Sequence, residues 1–199
     1  MSKDIDKVTQ EFHRYVNPRE IDIKGCRQFL KKGADVNVPV WHENKQSMTP
    51  LMCAAALQSK EAAQLFLDYA ADVDARSDIQ CTALIIAAQQ NCVGIVEMLL
   101  DKGVDVDARD KNGLTAVAWS AFLGYCDMTG LLLKHGASVE GEFTIAQGTG
   151  PLIDVANRGM NPAVVKVITD SIGQRFKDAA AKGTLKKRRI LRPSHAMPK

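Results

Sequence analysis

Residues 29–38 read FLKKGADVNV, and this phrase occurs three more times along the chain. The other copies are FLDYAADVDA at 66–75, LLDKGVDVDA at 99–108 and LLKHGASVEG at 132–141. Gly33, Ala70, Gly103 and Gly136 hold the same place in the four copies, at spacings of 37, 33 and 33 residues. A nearly constant period of 33 residues is typical of a solenoid made of stacked units, so repetition decides the fold.

A second phrase precedes the later copies in fixed phase. It reads TPLMCAA at 49–55, TALIIAA at 82–88, TAVAWSA at 115–121 and, in degraded form, GPLIDVA at 150–156. Thr is a good N-cap, Pro suits the first helical turn, and Ala pairs let neighbouring helices approach closely. In GIVEMLLDKG (94–103) the apolar residues recur at helical spacing, and Gly103 supplies a left-handed helix end. Each unit is therefore predicted to form a helix, a turn, a second helix and an extended finger.

This pattern resembles the ankyrin repeat, a 33-residue unit whose first helix opens with TPLHxA. The resemblance covers about residues 22–171. It implies an all-α solenoid of about five helix-turn-helix units with β-hairpin-like fingers. The expected divisions are an ankyrin-repeat domain over 1–171, with an atypical N-terminal cap at 1–38, central units at 39–141 and a C-terminal cap at 142–171.

The chain departs from the repeat at three kinds of place. Pro18 falls where strict register would put the first helix, so residues 3–16 are predicted as an atypical helix followed by a turn at 17–20. The first finger is longer by four residues and the last by two. Ala70 replaces the usual helix-ending Gly, at a cost of about 1 kcal/mol if it adopts a positive φ.

Composition limits the class of protein. Apolar residues make up 46% and charged residues 25%, which suits a packed soluble core, and no apolar run is long enough for a membrane helix. MSKDIDKVTQ lacks the apolar stretch of a secretory signal, so a cytoplasmic or nuclear location is expected. Five cysteines without a CxxC pair indicate neither a disulfide framework nor a metal site.

The net charge of +3 conceals an asymmetry, because residues 172–199 hold nine Lys/Arg and one Asp. These residues are predicted to form a basic tail, helical at its start and disordered beyond. Lys186, Lys187, Arg188 and Arg189 form the run KKRR, which is a nuclear import signal, a patch for an anionic partner or part of a solvated tail. Because the rest of the chain is mildly acidic, nucleic-acid contact is not expected except through this tail.

The sequence contains no GxGxxG, GxxxxGK, GxSxG or HExxH motif, so we expect neither enzymatic activity nor a cofactor. The leading hypothesis is a non-enzymatic interaction module or adaptor that binds a partner protein through its fingers and concave groove. The alternative is a nuclear regulatory cofactor that uses the basic tail for import or nucleic-acid contact.

Candidate contact residues follow from repeat phase. Phe122 and Leu123 occupy positions that lie on the partly exposed groove side in ankyrin families, and an apolar patch there is typical of a partner site. Trp119, three residues earlier, is expected in the core, and Trp41 in the long first finger is a weaker contact candidate. The remaining predicted contacts surround the turn of the third finger and are Arg109, Lys111, Asn112 and Leu114.

LKKGADVN (30–37) resembles the finger sequences modified by the asparaginyl hydroxylase that acts on ankyrin repeats. The resemblance implies that Asn37 is the acceptor. The alternative is that Asn37 serves only as a structural finger residue.

Overall fold

A computed structural model describes residues 2–17, 19–41, 47–145, 148–159 and 161–181 of the 199-residue chain. Within these ranges the chain is mostly helical, and no helix there is both long enough and apolar enough to span a bilayer. The helices are α1 (Ser2–Phe12), α2 (Ile23–Lys31), α3 (Pro50–Ala56), α4 (Lys60–Asp68), α5 (Ala83–Gln89), α6 (Val93–Asp101), α7 (Ala116–Leu123), α8 (Cys126–Lys134), α9 (Leu152–Asn157) and α10 (Ala163–Ala181).

Short antiparallel hairpins separate some of the helices. The second and third of these hairpins lie in the two fingers that the sequence shows to be longer than the others. The pairs are β1 (Val16–Asn17) with β2 (Glu20–Ile21), β3 (Val40–Trp41) with β4 (Ser47–Met48), and β5 (Phe143–Ile145) with β6 (Gly148–Gly150).

The helices pack as consecutive pairs, from α1 with α2 to α9 with α10. One member of each later pair stacks on its counterpart in the next unit, so that α3, α5, α7 and α9 form an inner row. Outer helices stack likewise, with α4 between α2 and α6, and α10 against α8. The arrangement confirms the predicted all-α solenoid of five units.

The inner helices begin where the sequence predicts. Thr49, Thr82 and Thr115 are the N-caps of α3, α5 and α7, and each side chain accepts a hydrogen bond at 3.3 Å from the backbone N–H three residues later. Pro151 takes the N-cap position of α9, which has no side-chain cap bond. The last inner helix is also the shortest, in keeping with its degraded phrase.

Small side chains form the centre of the stack. The alanines of the repeated phrase are fully or almost fully buried, and larger apolar side chains from the outer helices, such as Phe66, Leu99 and Leu132, pack around them. Because Ala adds so little volume, the inner helices can stack closely and form one continuous core.

The N-terminal helix is shorter than predicted. It ends at Phe12 rather than residue 16, because Tyr15 N–H bonds to the Phe12 carbonyl in a turn and Val16 pairs with Ile21 in the first hairpin. Tyr15 then lies against Gly25, where an added Cβ would collide with the tyrosine ring. The atypical helix is therefore fixed to α2 by this close approach.

The C-terminal helix continues into the start of the tail, which the sequence analysis also expected to be helical. The boundary placed at residue 171 falls within α10, which continues to Ala181. Arg175 Nη2 donates to the carbonyls of Leu133 and Ala137, at 2.8 and 2.9 Å, at the C-terminal end of α8. Residues 172–181 thus include a contact that belongs to the packed domain, while residues 182–199, with the run at 186–189, lie outside the described residues.

Neighbouring fingers are joined by a series of hydrogen bonds that we call the side-chain ladder. Within a finger, one side chain accepts a hydrogen bond from the backbone N–H of the residue two positions later. The side chain of that second residue then accepts a hydrogen bond from the first backbone N–H of the following finger. Thr9 of α1 supplies the acceptor for the first finger. The ladder side chains, with acceptor distances of 2.7 to 3.1 Å, belong to Asp35, Asn37, Asp72, Asp74, Asp105, Asp107 and Ser138.

Ala70 provides a direct test of the predicted strain. It has φ 60°, in the region that Gly33, Gly103 and Gly136 also occupy, and it is exposed. We expect Ala70→Gly to raise the free energy of unfolding by about 0.5 to 1 kcal/mol, because relief of the left-handed strain outweighs the added freedom of the unfolded chain. Urea unfolding followed by circular dichroism measures the change.

The matched control is Gly103→Ala, since an added Cβ there meets nothing within 4 Å and introduces only the unfavourable φ. It should lower stability by a similar amount. A loss of stability in Ala70→Gly would contradict the assignment.

The ladder can be tested at Asp74, whose Oδ1 accepts from Asp105 N–H at 2.9 Å. Asp74→Ala removes the acceptor and should cost about 1 kcal/mol in the free energy of unfolding. Asp74→Asn keeps an acceptor, as Asn37 does in the preceding finger, and should cost clearly less. Equal losses in the two variants would show that charge, rather than the hydrogen bond, matters at this position.

Candidate functional site

A cavity of about 360 Å³ opens between the second and third fingers and the inner helices α5 and α7. Its lining combines apolar side chains with polar residues of the finger turns. The lining residues are Met48, Ser77, Ile79, Cys81, Ile86, Gln89, Asp110, Lys111, Asn112 and Trp119. We call this cavity the finger pocket.

The pocket brings together only part of the predicted contact set. Lys111 and Asn112 line it and are exposed. Phe122 is half-buried at the end of α7, and its ring lies edge-on to that of Trp119 with the centroids 6.4 Å apart. Leu123 is half-buried, and Trp41 ends β3, with its side chain outside the described part of the structure.

Leu114 was wrongly predicted as a contact residue. Its side chain is 2% exposed and belongs to the continuous core, and its backbone N–H donates to Asp110 Oδ1. A residue buried in this way cannot reach a partner. Buried and exposed residues follow one another irregularly along the finger, and repeat phase alone did not show that Leu114 is buried.

Arg109 is exposed, but its guanidinium is engaged within the solenoid. Its Nη1 donates to the carbonyls of Gly113 at 2.8 Å and Glu142 at 3.2 Å, and the group lies 5.0 Å from the centre of the Phe143 ring. Arg76, one period earlier, donates in the same way to the Arg109 carbonyl. Arg76 thus joins the second finger to the third, and Arg109 joins the third to the fourth, a role that the sequence analysis did not predict.

Asp110 fixes the shape of the finger pocket. Its Oδ1 accepts from the backbone N–H groups of Asn112 and Leu114, at 2.8 and 2.9 Å, and its Oδ2 accepts from Trp119 Nε1 at 2.9 Å. The side chain is 7% exposed. Because three donors serve this carboxylate, it holds the indole ring in one orientation across the pocket.

Trp119 differs from the expectation that it lies in the core. It is half-buried, packs against the core on one side and lines the pocket on the other. The sequence did contain a residue that could have predicted this position. Asp110 lies nine residues earlier, in the DKNG turn, and its carboxylate accepts a hydrogen bond from the indole N–H. The equivalent position in the preceding unit holds Ile86, which needs no such partner.

The pocket does not contain an activated nucleophile. Burial raises the pKa of the Cys81 thiol to about 11; the negative charge of Asp110 acts in the same direction, and the positive charge of Lys111 opposes both. Burial likewise raises the pKa of Cys26 and Cys53 to about 12. These thiols therefore stay protonated at neutral pH, which suits packing rather than covalent chemistry.

Within the described ranges, no group of three or more His, Cys, Asp or Glu side chains is placed to hold a metal ion.

Asn37, the predicted hydroxylation acceptor, is exposed in the first finger. Its Oδ1 accepts from Asp72 N–H at 2.7 Å, so it is a member of the side-chain ladder. This geometry gives Asn37 a structural role, and its modification stays a prediction.

Two protein-family models match the chain. The model for ankyrin repeats in three copies matches residues 75–143, and the model for a single ankyrin repeat matches residues 46–78. No curated protein matches the sequence significantly. The chain belongs to the ankyrin-repeat family, as its sequence pattern indicated. Ankyrin repeats generally mediate protein–protein interaction and are typically not enzymes.

The state of the thiols can be checked by alkylation. At pH 8 a thiol with a pKa of about 11 is ionised to roughly one part in a thousand. Iodoacetamide should therefore label Cys26, Cys53 and Cys81 far more slowly in the native protein than in urea, as measured by peptide mass spectrometry. Half-buried Cys126 serves as the internal comparison. Native labelling of Cys81 as fast as that of Cys126 would contradict the burial argument.

Proposed function

We propose that this protein is a non-catalytic adaptor that holds a partner protein on the finger pocket and the adjoining end of α7. The observation that carries the proposal is the half-buried aromatic pair of Trp119 and Phe122 beside a preformed cavity. Large aromatic side chains in partly open, well-packed positions are the usual anchors of protein interfaces.

The surroundings of the aromatic pair support the same proposal. Lys111 and Asn112 on the third finger and Gln89 at the end of α5 give the cavity a polar border. An apolar centre with a polar rim is the general anatomy of an interface between proteins. The thiol at the pocket is protonated, so binding is the chemistry that this lining supports.

The described residues offer no second exposed apolar patch that could serve as a partner site. Among the described residues, Val93 at the start of the outer helix α6 is the one large apolar side chain in the exposed class, at 38%. A single exposed Val is ordinary on a protein surface and defines no patch. It provides a matched control, because it is apolar and lies on a different row of helices.

The test is affinity purification from native cells with the intact protein, Phe122→Ala and Val93→Ala as baits. Partners retained by the intact protein and Val93→Ala but lost by Phe122→Ala support the proposal. For such a partner, we expect Phe122→Ala to weaken binding by about 2 kcal/mol or more in titration calorimetry.

Stability must be measured in parallel, because Phe122 also packs against the core. We expect Phe122→Ala to fold, with a loss of about 1 kcal/mol in the free energy of unfolding that is smaller than its loss of binding. If the melting temperature falls while affinity stays intact, Phe122 is a core residue and the proposed interface is wrong.

A further inference from the structure

The finger pocket has an unequal balance of available charge. Lys111 is exposed, and no hydrogen bond or ion pair of its ammonium group is seen within the described ranges. Asp110, the carboxylate of the same pocket, is almost completely buried and already accepts three hydrogen bonds. The free cation therefore faces a pocket whose own anion is occupied.

The neighbouring finger residues strengthen this imbalance. Asp78 in the second finger accepts a hydrogen bond from Ser47 N–H at 2.9 Å, so its carboxylate is engaged with the first finger. Arg76 and Arg109 donate to backbone carbonyls, but these neutral groups do not cancel their positive charge. The carboxylates of Asp78 and Asp110 are thus already hydrogen-bonded to the protein, whereas the Lys111 ammonium group has no such bond within the described ranges.

The position of Lys111 is fixed by the fold. Its backbone N–H donates to the Ile79 carbonyl at 3.0 Å, which joins the third finger to the second at the pocket. The positive charge acts on Cys81, whose thiol lies at the same cavity. Lys111 therefore lines the cavity at a fixed place on the third finger, and its charge acts within the pocket.

The apolar lining defines the other half of the ligand. Met48, Ile79, Ile86 and Trp119 contribute apolar surface, and the hydrogen bond from the Trp119 indole N–H to Asp110 orients the ring. A cavity of about 360 Å³ is at the small end of ligand pockets, which span roughly 300 to 1,000 Å³. It suits one large aliphatic or aromatic side chain rather than a folded surface.

We propose that the finger pocket binds an acidic, apolar peptide segment of the partner, which places one large apolar side chain beside Trp119 and a neighbouring carboxylate beside Lys111. The inference rests on the proposed function and names the chemistry of the partner. Charge complementarity favours an acidic segment over a basic one, because Lys111, Arg76 and Arg109 would repel a basic segment. A basic segment would instead favour the acidic side-chain ladder.

The test uses a random twelve-residue peptide library displayed on phage and selected against the immobilised full chain. We expect the enriched peptides to carry Asp or Glu within a few residues of Leu, Phe, Tyr or Trp. The strongest peptide is then synthesised and titrated in solution. In a Trp41→Phe background Trp119 is the remaining tryptophan, so a change in its fluorescence reports binding at the pocket.

Charge variants give the decisive comparison. Lys111→Glu should weaken the peptide by about tenfold or more, while Lys111→Arg should keep most of the affinity. Lys166→Glu makes the same charge change at an exposed position of α10 and should have little effect. Replacing the peptide's acid by Lys should restore part of the binding to Lys111→Glu.

Every outcome bears on the inference. Neutral or basic peptides that alter Trp119 fluorescence would overturn the acid preference and leave the proposed interface intact. Acidic peptides with equal affinity for the intact chain and Lys111→Glu would overturn the role of Lys111. Failure to enrich any peptide would also count against the inference, whereas the proposed function is judged separately by the Phe122→Ala purification.

Discussion

The hydrogen bonds that pass from one finger to the next are the constraint on which the rest of the structure depends. Asn37, Asp74 and Asp107 each accept from the first backbone N–H of the following finger, over separations of 35, 31 and 31 residues. A unit of a solenoid cannot bury its apolar face alone, so its neighbours must be held in one register. The ladder sets that register on the finger side, while the buried alanines set it between the inner helices.

The hydrogen bonds of the carboxylates also determine which charged groups remain available at the surface. Aspartates such as Asp74, Asp78 and Asp110 look like free surface acids in the sequence, but each has an oxygen bonded to a backbone N–H. The arginines Arg76 and Arg109 are similarly engaged with carbonyls. Lys111 is left as a cation without such a partner among the described residues, which is why charge at the finger pocket favours an acidic ligand.

The sequence was sufficient for features that depend on local chemistry and repeat phase. Thr49, Thr82 and Thr115 could be predicted as N-caps, and Ala70 as a strained helix end, because these depend on residues within one turn. The sequence was insufficient where distant residues meet. The role of Arg109 depends on Glu142, and the packing of residues beyond 171 depends on the contact of Arg175 with the carbonyl of Leu133 in α8. Leu114 was assigned to the wrong side, and Trp119 packs against the core on only one of its faces, because finger and helix jointly determine their burial.

Comparison of neighbouring units explains why the third finger, and not the second, orients an aromatic ring at the pocket. Ser77 and Asp110 hold equivalent positions, and each accepts from the backbone N–H four residues later, from Cys81 and Leu114. Ser77 has one side-chain oxygen, which closes its finger turn and leaves no second acceptor for a side chain of α5. The position in α5 that corresponds to Trp119 holds Ile86, which has no polar group to donate. Asp110 has two oxygens; one closes the turn and the other holds the Trp119 indole. An aromatic ring fixed before binding loses little conformational freedom when a ligand packs against it, so more of the contact energy remains as affinity.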